Sequence, residues 1–175
     1  MYVDLKRWTG NWSLEHPPTE DDLVAFIERI LREDGTTIEA QFLQDNFRKM
    51  LEWGQWYFVF DSFDEIPCLM GRKSSKKLID RFSRLLYGFL TRENQRGGVI
   101  ASRLFRSPTD PLHAAIKLHL QPLSDDRIQK MLNRYAKNAD ELIRNLFGSR
   151  EDLVALCRNP FYLSLLIEYF HEHGA

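Results

Sequence analysis

Apolar residues recur along this chain with two spacings, and the change from one to the other divides it. Tyr2-Val3-Asp4-Leu5 reads as a short strand that opens with no preceding turn or cap, as though an earlier segment had been cut away. Trp8 to Pro18 reads as loop. Thr19 followed by Glu20-Asp21-Asp22 is a helix start, a capping hydroxyl with acids in the first turn. Leu23, Phe26, Ile27, Ile30 and Leu31 then recur at helical spacing until Gly35. A second helix is predicted from about Ile38 to Trp53, with Phe42, Leu43, Phe47, Met50 and Leu51 on one face, ending at Gly54.

Trp56 to Phe60 is a continuous aromatic and apolar run, which predicts a central strand buried on both faces of a parallel sheet. Gly71 to Ser75 is a polar loop, and Leu78 to Leu90 carries a helical stripe. Gly97-Gly98 is a break, Val99-Ile100-Ala101 a short strand, and Ile116 to Leu120 alternates as an edge strand would. From Ser124 onward only helices are predicted: to Tyr135, from Asp140 to Phe147 with Gly148 as its stop, from Arg150 to Cys157, and from Phe161 to Phe170. Strands alternating with helices, then helices alone, predict a three-layer α/β domain over 1–122 and a helical subdomain over 123–175.

Composition narrows the picture. At 175 residues, 43% hydrophobic and 28% charged, the chain has the make-up of an ordinary globule. A net charge of -1 gives no drive toward nucleic acid or an anionic membrane. Cys68 and Cys157 are far apart and no zinc spacing exists, which fits a reducing compartment. No run is long enough to span a bilayer and no signal peptide is evident, so a cytoplasmic location is the expectation. His16, His113, His119, His171 and His173 follow no metal or triad spacing and read as surface residues.

In open α/β sheets ligands bind beyond the carboxyl ends of the strands. Phe60-Asp61-Ser62-Phe63-Asp64-Glu65-Ile66-Pro67 places three acids at such an end, and Ser102-Arg103 sits at another. A strand-end carboxylate can hold Mg²⁺, which prefers hard oxygen ligands, while a second one orients or deprotonates water. An acid at a strand end also serves simply to cap the next turn, and an exposed Arg to pair with a nearby acid. Pro160, after Asn159, suits the first position of a helix.

The stretch from Gln55 to Pro67 resembles the Walker B region of NACHT-domain signalling NTPases: an apolar run, then Asp, a small residue, an apolar residue, Asp and Glu. Gly98 to Arg103 is similar to the sensor 1 segment of that family. Leu120 to Ser124 and Leu156 to Leu163 resemble the entry to its helical subdomain and an Asn-Pro-x-x-Leu segment within it. The resemblance implies a P-loop NTPase-like parallel sheet whose first β–P-loop–α unit is missing. It implies Asp61 as the Mg²⁺ ligand, Asp64 and Glu65 in water activation or metal support, Arg103 as γ-phosphate sensor and Pro160 against the adenine. ATP or ADP with Mg²⁺ would be the cofactors of an intact parent that switches by self-association in signalling or defence.

No Gly in the chain is followed by Lys, so it carries no Gly-x-x-x-x-Gly-Lys-Ser/Thr loop. Backbone amides and the lysine of that loop supply most phosphate binding. An ATPase is therefore only resembled, and the chain alone is expected to bind ATP poorly and to hydrolyse none. Two further readings stand beside this one. The first is an NTPase-like fold serving only protein contact. The second is nucleic-acid binding through Arg72, Lys73, Lys76, Lys77, Arg81 and Arg84, where a solvated loop and helix face is the simpler account, so nucleic acid is not an expected partner.

Overall fold

The computed structural model describes residues 1–35, 37–71, 76–92, 97–110 and 116–173. It divides into two compact units, Met1–Ile116 and Lys117–Ala175. Arg72 and Lys73 of the basic stretch, most of the Gly71–Ser75 loop and His113 lie outside the described residues.

The first unit is α/β. Its strands are β1 (Tyr2–Asp4), β2 (Tyr57–Asp61) and β3 (Gly97–Ile100), in the order β1-β2-β3 and all parallel. The register sets Val3 beside Phe60 and Phe60 beside Ile100. Successive side chains alternate between faces, so Val3, Phe58 and Phe60 share one face and Tyr2, Tyr57, Val59 and Val99 the other. The first face is packed. Helices α1 (Glu20–Asp34), α2 (Ile38–Glu52) and α4 (Lys76–Leu90) contribute Phe26, Phe47, Phe82 and Phe89 to one continuous core with it, while α3 (Pro67–Met70) adds Leu69. Ring contacts chain the parts together: Phe47 to Trp56, Trp56 to Phe58, Phe58 to Phe89, with centroids 5.4, 6.0 and 5.2 Å apart.

Local chemistry explains the element ends. Thr19 accepts from the Asp22 main chain, and the Asp22 carboxylate accepts from the Thr19 N–H at 2.8 Å, a reciprocal capping box on α1. Gly54 adopts φ 68° after α2, in the left-handed region open to glycine. Trp8 stands in the loop the sequence predicts, yet it is only 1% exposed and packs against Phe26 and Phe82.

Several sequence expectations are corrected. Trp56 to Phe60 is not buried on both faces: Tyr57 is 58% exposed, because the described helices of this unit pack on the face that bears Phe58 and Phe60. Phe42, placed on the buried stripe of α2, is 60% exposed, since only Phe47 and Leu51 of that helix reach the core. Gly97-Gly98 opens β3 instead of breaking the chain. A Cβ on Gly98 would stand 2.6 Å from the Phe58 carbonyl oxygen, so the glycine permits the close strand approach. Ile116 to Leu120 carries no strand and its apolar side chains are exposed, for it has no sheet neighbour among the described residues.

The second unit is helical: α5 (Asp125–Tyr135), α6 (Ala139–Ser149), α7 (Glu151–Cys157) and α8 (Pro160–His173). Gly148 falls inside α6 and does not stop it. Ile128, Leu132, Leu142, Leu146, Cys157, Leu163 and Ile167 form its core. Among the described residues no helix is long and apolar enough to cross a membrane.

Phe82→Ala is expected to cost about 3–5 kcal/mol by leaving a cavity under Trp8, whereas Phe42→Ala should stay within about 0.5 kcal/mol of the parent. Urea unfolding followed by tryptophan fluorescence checks both, since all four tryptophans (Trp8, Trp12, Trp53 and Trp56) lie in the first unit.

Candidate functional site

The acidic stretch begins where β2 leaves the sheet. Asp61 is its last residue and lies on the open face, two positions along from Val59, the partner of Tyr2. Diagonal neighbours on adjacent strands are within reach of long side chains, and the Tyr2 hydroxyl donates to Asp61 Oδ2 at 2.8 Å. The other oxygen, Oδ1, accepts from the Ser62 main-chain N–H at 2.8 Å. The bond to Asp61, with smaller effects of burial and of the charges on Asp61 and Asp4, pushes the Tyr2 phenol above its ordinary range.

Ser62 turns the chain. It is the one non-glycine with positive φ among the described residues, at φ 62° and ψ 39°. This left-handed geometry is costly for side chains branched at Cβ, which accounts for a small residue after Asp61. The kink starts a 3-10 turn, Phe63–Glu65, capped by the Glu65 N–H donating to the Ser62 carbonyl at 2.9 Å. Phe63 goes into the core, and Ile66 and Leu69 follow it.

The turn is fastened to the segment leaving β3. The Ala101 N–H donates to the Phe60 carbonyl at 2.8 Å, and the Phe63 N–H donates to the Ala101 carbonyl at 3.1 Å. Asp64 is 3% exposed, and a buried carboxylate must be compensated. Its Oδ1 accepts from the Arg103 main-chain N–H at 3.0 Å and from the Ser102 hydroxyl at 3.3 Å. Arg103 Nε stands 3.0 Å from Oδ2. That oxygen nevertheless receives no aligned hydrogen bond, so the contact is one of charge more than of direction. Arg103 Nη2 also pairs with Glu65 Oε1. Arg103 is mostly exposed, and its guanidinium carbon lies 6.0 Å from the centroid of the exposed Phe105 ring.

The structure therefore brings Asp64, Glu65 and Arg103 into one ion cluster. Asp61 lies at the adjacent strand tip but is held by Tyr2 and Ser62, and Arg103 forms ion pairs with Asp64 and Glu65. Pro160 belongs to the second unit, where it is exposed at the first position of α8. Asn159 precedes it and accepts from the Phe161 N–H at 3.0 Å. In that unit the two segments singled out in the sequence meet. The Leu123 N–H donates to the Arg158 carbonyl at 2.8 Å, and the Arg158 guanidinium donates back to the Leu123 carbonyl at 3.1 Å and to Asp125 at 2.8 Å.

Among the described residues no group of three or more His, Cys, Asp or Glu side chains is placed to hold a metal ion. The donor set thus does not form a protein cage. Asp61 fits the sparser mode of Mg²⁺, one carboxylate with the remaining ligands from phosphate oxygens and water. Cys68 lies on the short α3 helix after the acidic turn. Burial pushes its thiol up to about 11, which leaves little nucleophilic thiolate at neutral pH. The roles of Tyr2 and Phe105 carry no signal in the sequence, because each depends on strand register or local twist; at Ser62 the sequence marks only a small residue, not its left-handed turn.

No protein-family model, no curated protein and no solved structure matches the chain.

Ser62→Val should lower stability by about 1–3 kcal/mol through the left-handed backbone it must adopt, while Ser62→Gly should be close to neutral, relieved strain being offset by a freer unfolded chain. Thermal melts of the two variants beside the parent check the pair, and equal stability of Val and Gly would remove the argument for a constrained turn.

Proposed function

We propose that this chain is the Walker B and sensor portion of a NACHT-type nucleotide switch, in which ATP binding and hydrolysis govern self-association of a signalling or defence protein. One observation carries the reading: acids at the carboxyl tip of β2 and a basic residue just beyond the tip of the adjacent parallel strand β3 share one rim of the sheet. That is where ligands of open α/β sheets bind. On this reading the fold is a P-loop NTPase-like sheet without its first unit, and a segment upstream of Met1 supplies the strand, the glycine-rich loop and the covering helix.

The roles follow from the groups available. Asp61 presents a carboxylate to Mg²⁺, which supplies charge neutralisation at the phosphates when bound. Asp64 and Glu65 are the acids of water activation or metal support, and Glu65, on the solvent rim, is the more exposed of the two. Arg103 offers the forked donors that suit phosphate oxygens. Pro160 provides a rigid apolar surface for an adenine. ATP or ADP and Mg²⁺ are the ligands of the complete protein, and further copies of it the macromolecular partner.

A second reading has its own support. Every acid of the rim is already engaged by protein groups, as in a fold kept only for protein contact. The two part in the natural full-length protein: Asp61→Ala and Arg103→Ala should abolish ATP-dependent self-association on the first reading and leave activity intact on the second. The isolated chain should show no ATP binding tighter than the millimolar range by calorimetry, for want of phosphate-binding amides. Micromolar binding, or an upstream coding sequence without a glycine-rich loop ending in Lys-Ser or Lys-Thr, would refute the proposal.

A further inference from the structure

The two acids that hold Arg103 hold it differently. Asp64 is 3% exposed and grips both the main chain and the side chain of Arg103. Glu65 meets only the outer guanidinium nitrogen, and its side chain is 34% exposed. A 3-10 turn has three residues per revolution, so neighbours in sequence point in well separated directions, and one acid is thereby committed inward while the other stays on the rim. Phe105 packs beside the guanidinium of Arg103, and Arg106 lies 5.0 Å from the same ring centroid.

An arriving anion therefore has one replaceable contact to displace. The Asp64 contacts are buried and multiple, whereas the Glu65 contact is a rim ion pair of the kind that contributes little in water. Asp64 Oδ2, buried without an aligned donor, lies 3.0 Å from Nε and holds the guanidinium near it by charge.

We propose that Asp64 is a positioning residue that anchors the Arg103 guanidinium, and that Glu65 is a gate whose carboxylate an incoming phosphate group must displace. The proposal rests on the phosphate-site reading above and refines it. The two acids thereby take opposite parts, although they carry the same charge and adjoin in the sequence.

That opposition makes the test. Glu65→Gln and Asp64→Asn each remove one negative charge, so general electrostatics alone predicts that both tighten anion binding. Gate and anchor predict opposite signs. The full chain would be titrated with inorganic pyrophosphate to tens of millimolar, observed through the arginine Nε–Hε signals of its NMR spectrum. The Arg103 signal is assigned by its loss in Arg103→Lys. Expected are a Kd lower by roughly three- to five-fold for Glu65→Gln, the order a rim ion pair accounts for, a higher Kd for Asp64→Asn, and loss of the response in Arg103→Lys. Unchanged affinity in Glu65→Gln, tightening in both acid variants, or no response at Arg103 in any of them overturns the proposal. If Asp64→Asn fails to fold, Asp61→Asn removes a charge beside the cluster in its place: tightening confined to Glu65→Gln supports the gate, and equal tightening in both overturns it. Pyrophosphate carries no base. The gate can therefore stand while the nucleotide reading falls on its own upstream-sequence test, and the reverse outcome is equally visible.

Discussion

A carboxylate buried in the first unit has to be neutralised by its neighbours, and for Asp64 the neighbours shown all come from Ser102 and Arg103. That requirement fixes the path of the chain beyond β3. It also fixes the register indirectly, because the same acidic turn donates its first hydrogen bond, from the Phe63 N–H, to the Ala101 carbonyl, while the Ala101 N–H donates to the Phe60 carbonyl. Slipping β3 by one residue would exchange its two faces and strip Asp64 of its partners together. The left-handed kink at Ser62 is the other half of the constraint, since it swings the chain off the β2 line and carries Asp64 toward the β3 side.

Helices were legible in the sequence where apolar spacing and end chemistry agreed. α1 is the clear case, with Thr19 and Asp22 forming the cap and Leu23, Phe26, Ile27 and Ile30 buried as their spacing required. β2 was legible as a strand, but its burial was not. An apolar run says that a strand tolerates cover on both faces, and it does not say which faces the rest of the chain covers; Tyr57 and Val99 remain open to solvent for that reason. Phe42 misled in the same way, because a stripe identifies the apolar side of a helix and not how far along that side the core extends. Ile116 to Leu120 alternates as an edge strand does, yet alternation without a neighbour to pair with yields no strand.

For the site, the sequence placed acids and a base at strand ends, and adjacency of β2 and β3 then put them on one rim. It held no information on who pairs with whom. Asp64 and Glu65 look equivalent in one dimension and occupy opposite environments in three, because a tight turn follows a residue forced into positive φ. Tyr2 and Asp61 are far apart in sequence and were brought together by a register that only the paired strands reveal.

Parallel sheets are found with both faces covered. Here the face bearing Tyr2, Tyr57 and Val99 is open among the described residues, and Asp61 projects from that same face. Any group that covered this face would therefore also define the surroundings of Asp61. A cover bringing free backbone amides to the β2 tip would complete a phosphate site with Asp61 and Arg103 at its border. A purely apolar cover would bury the Tyr2–Asp61 pair and leave the carboxylate as a strand cap.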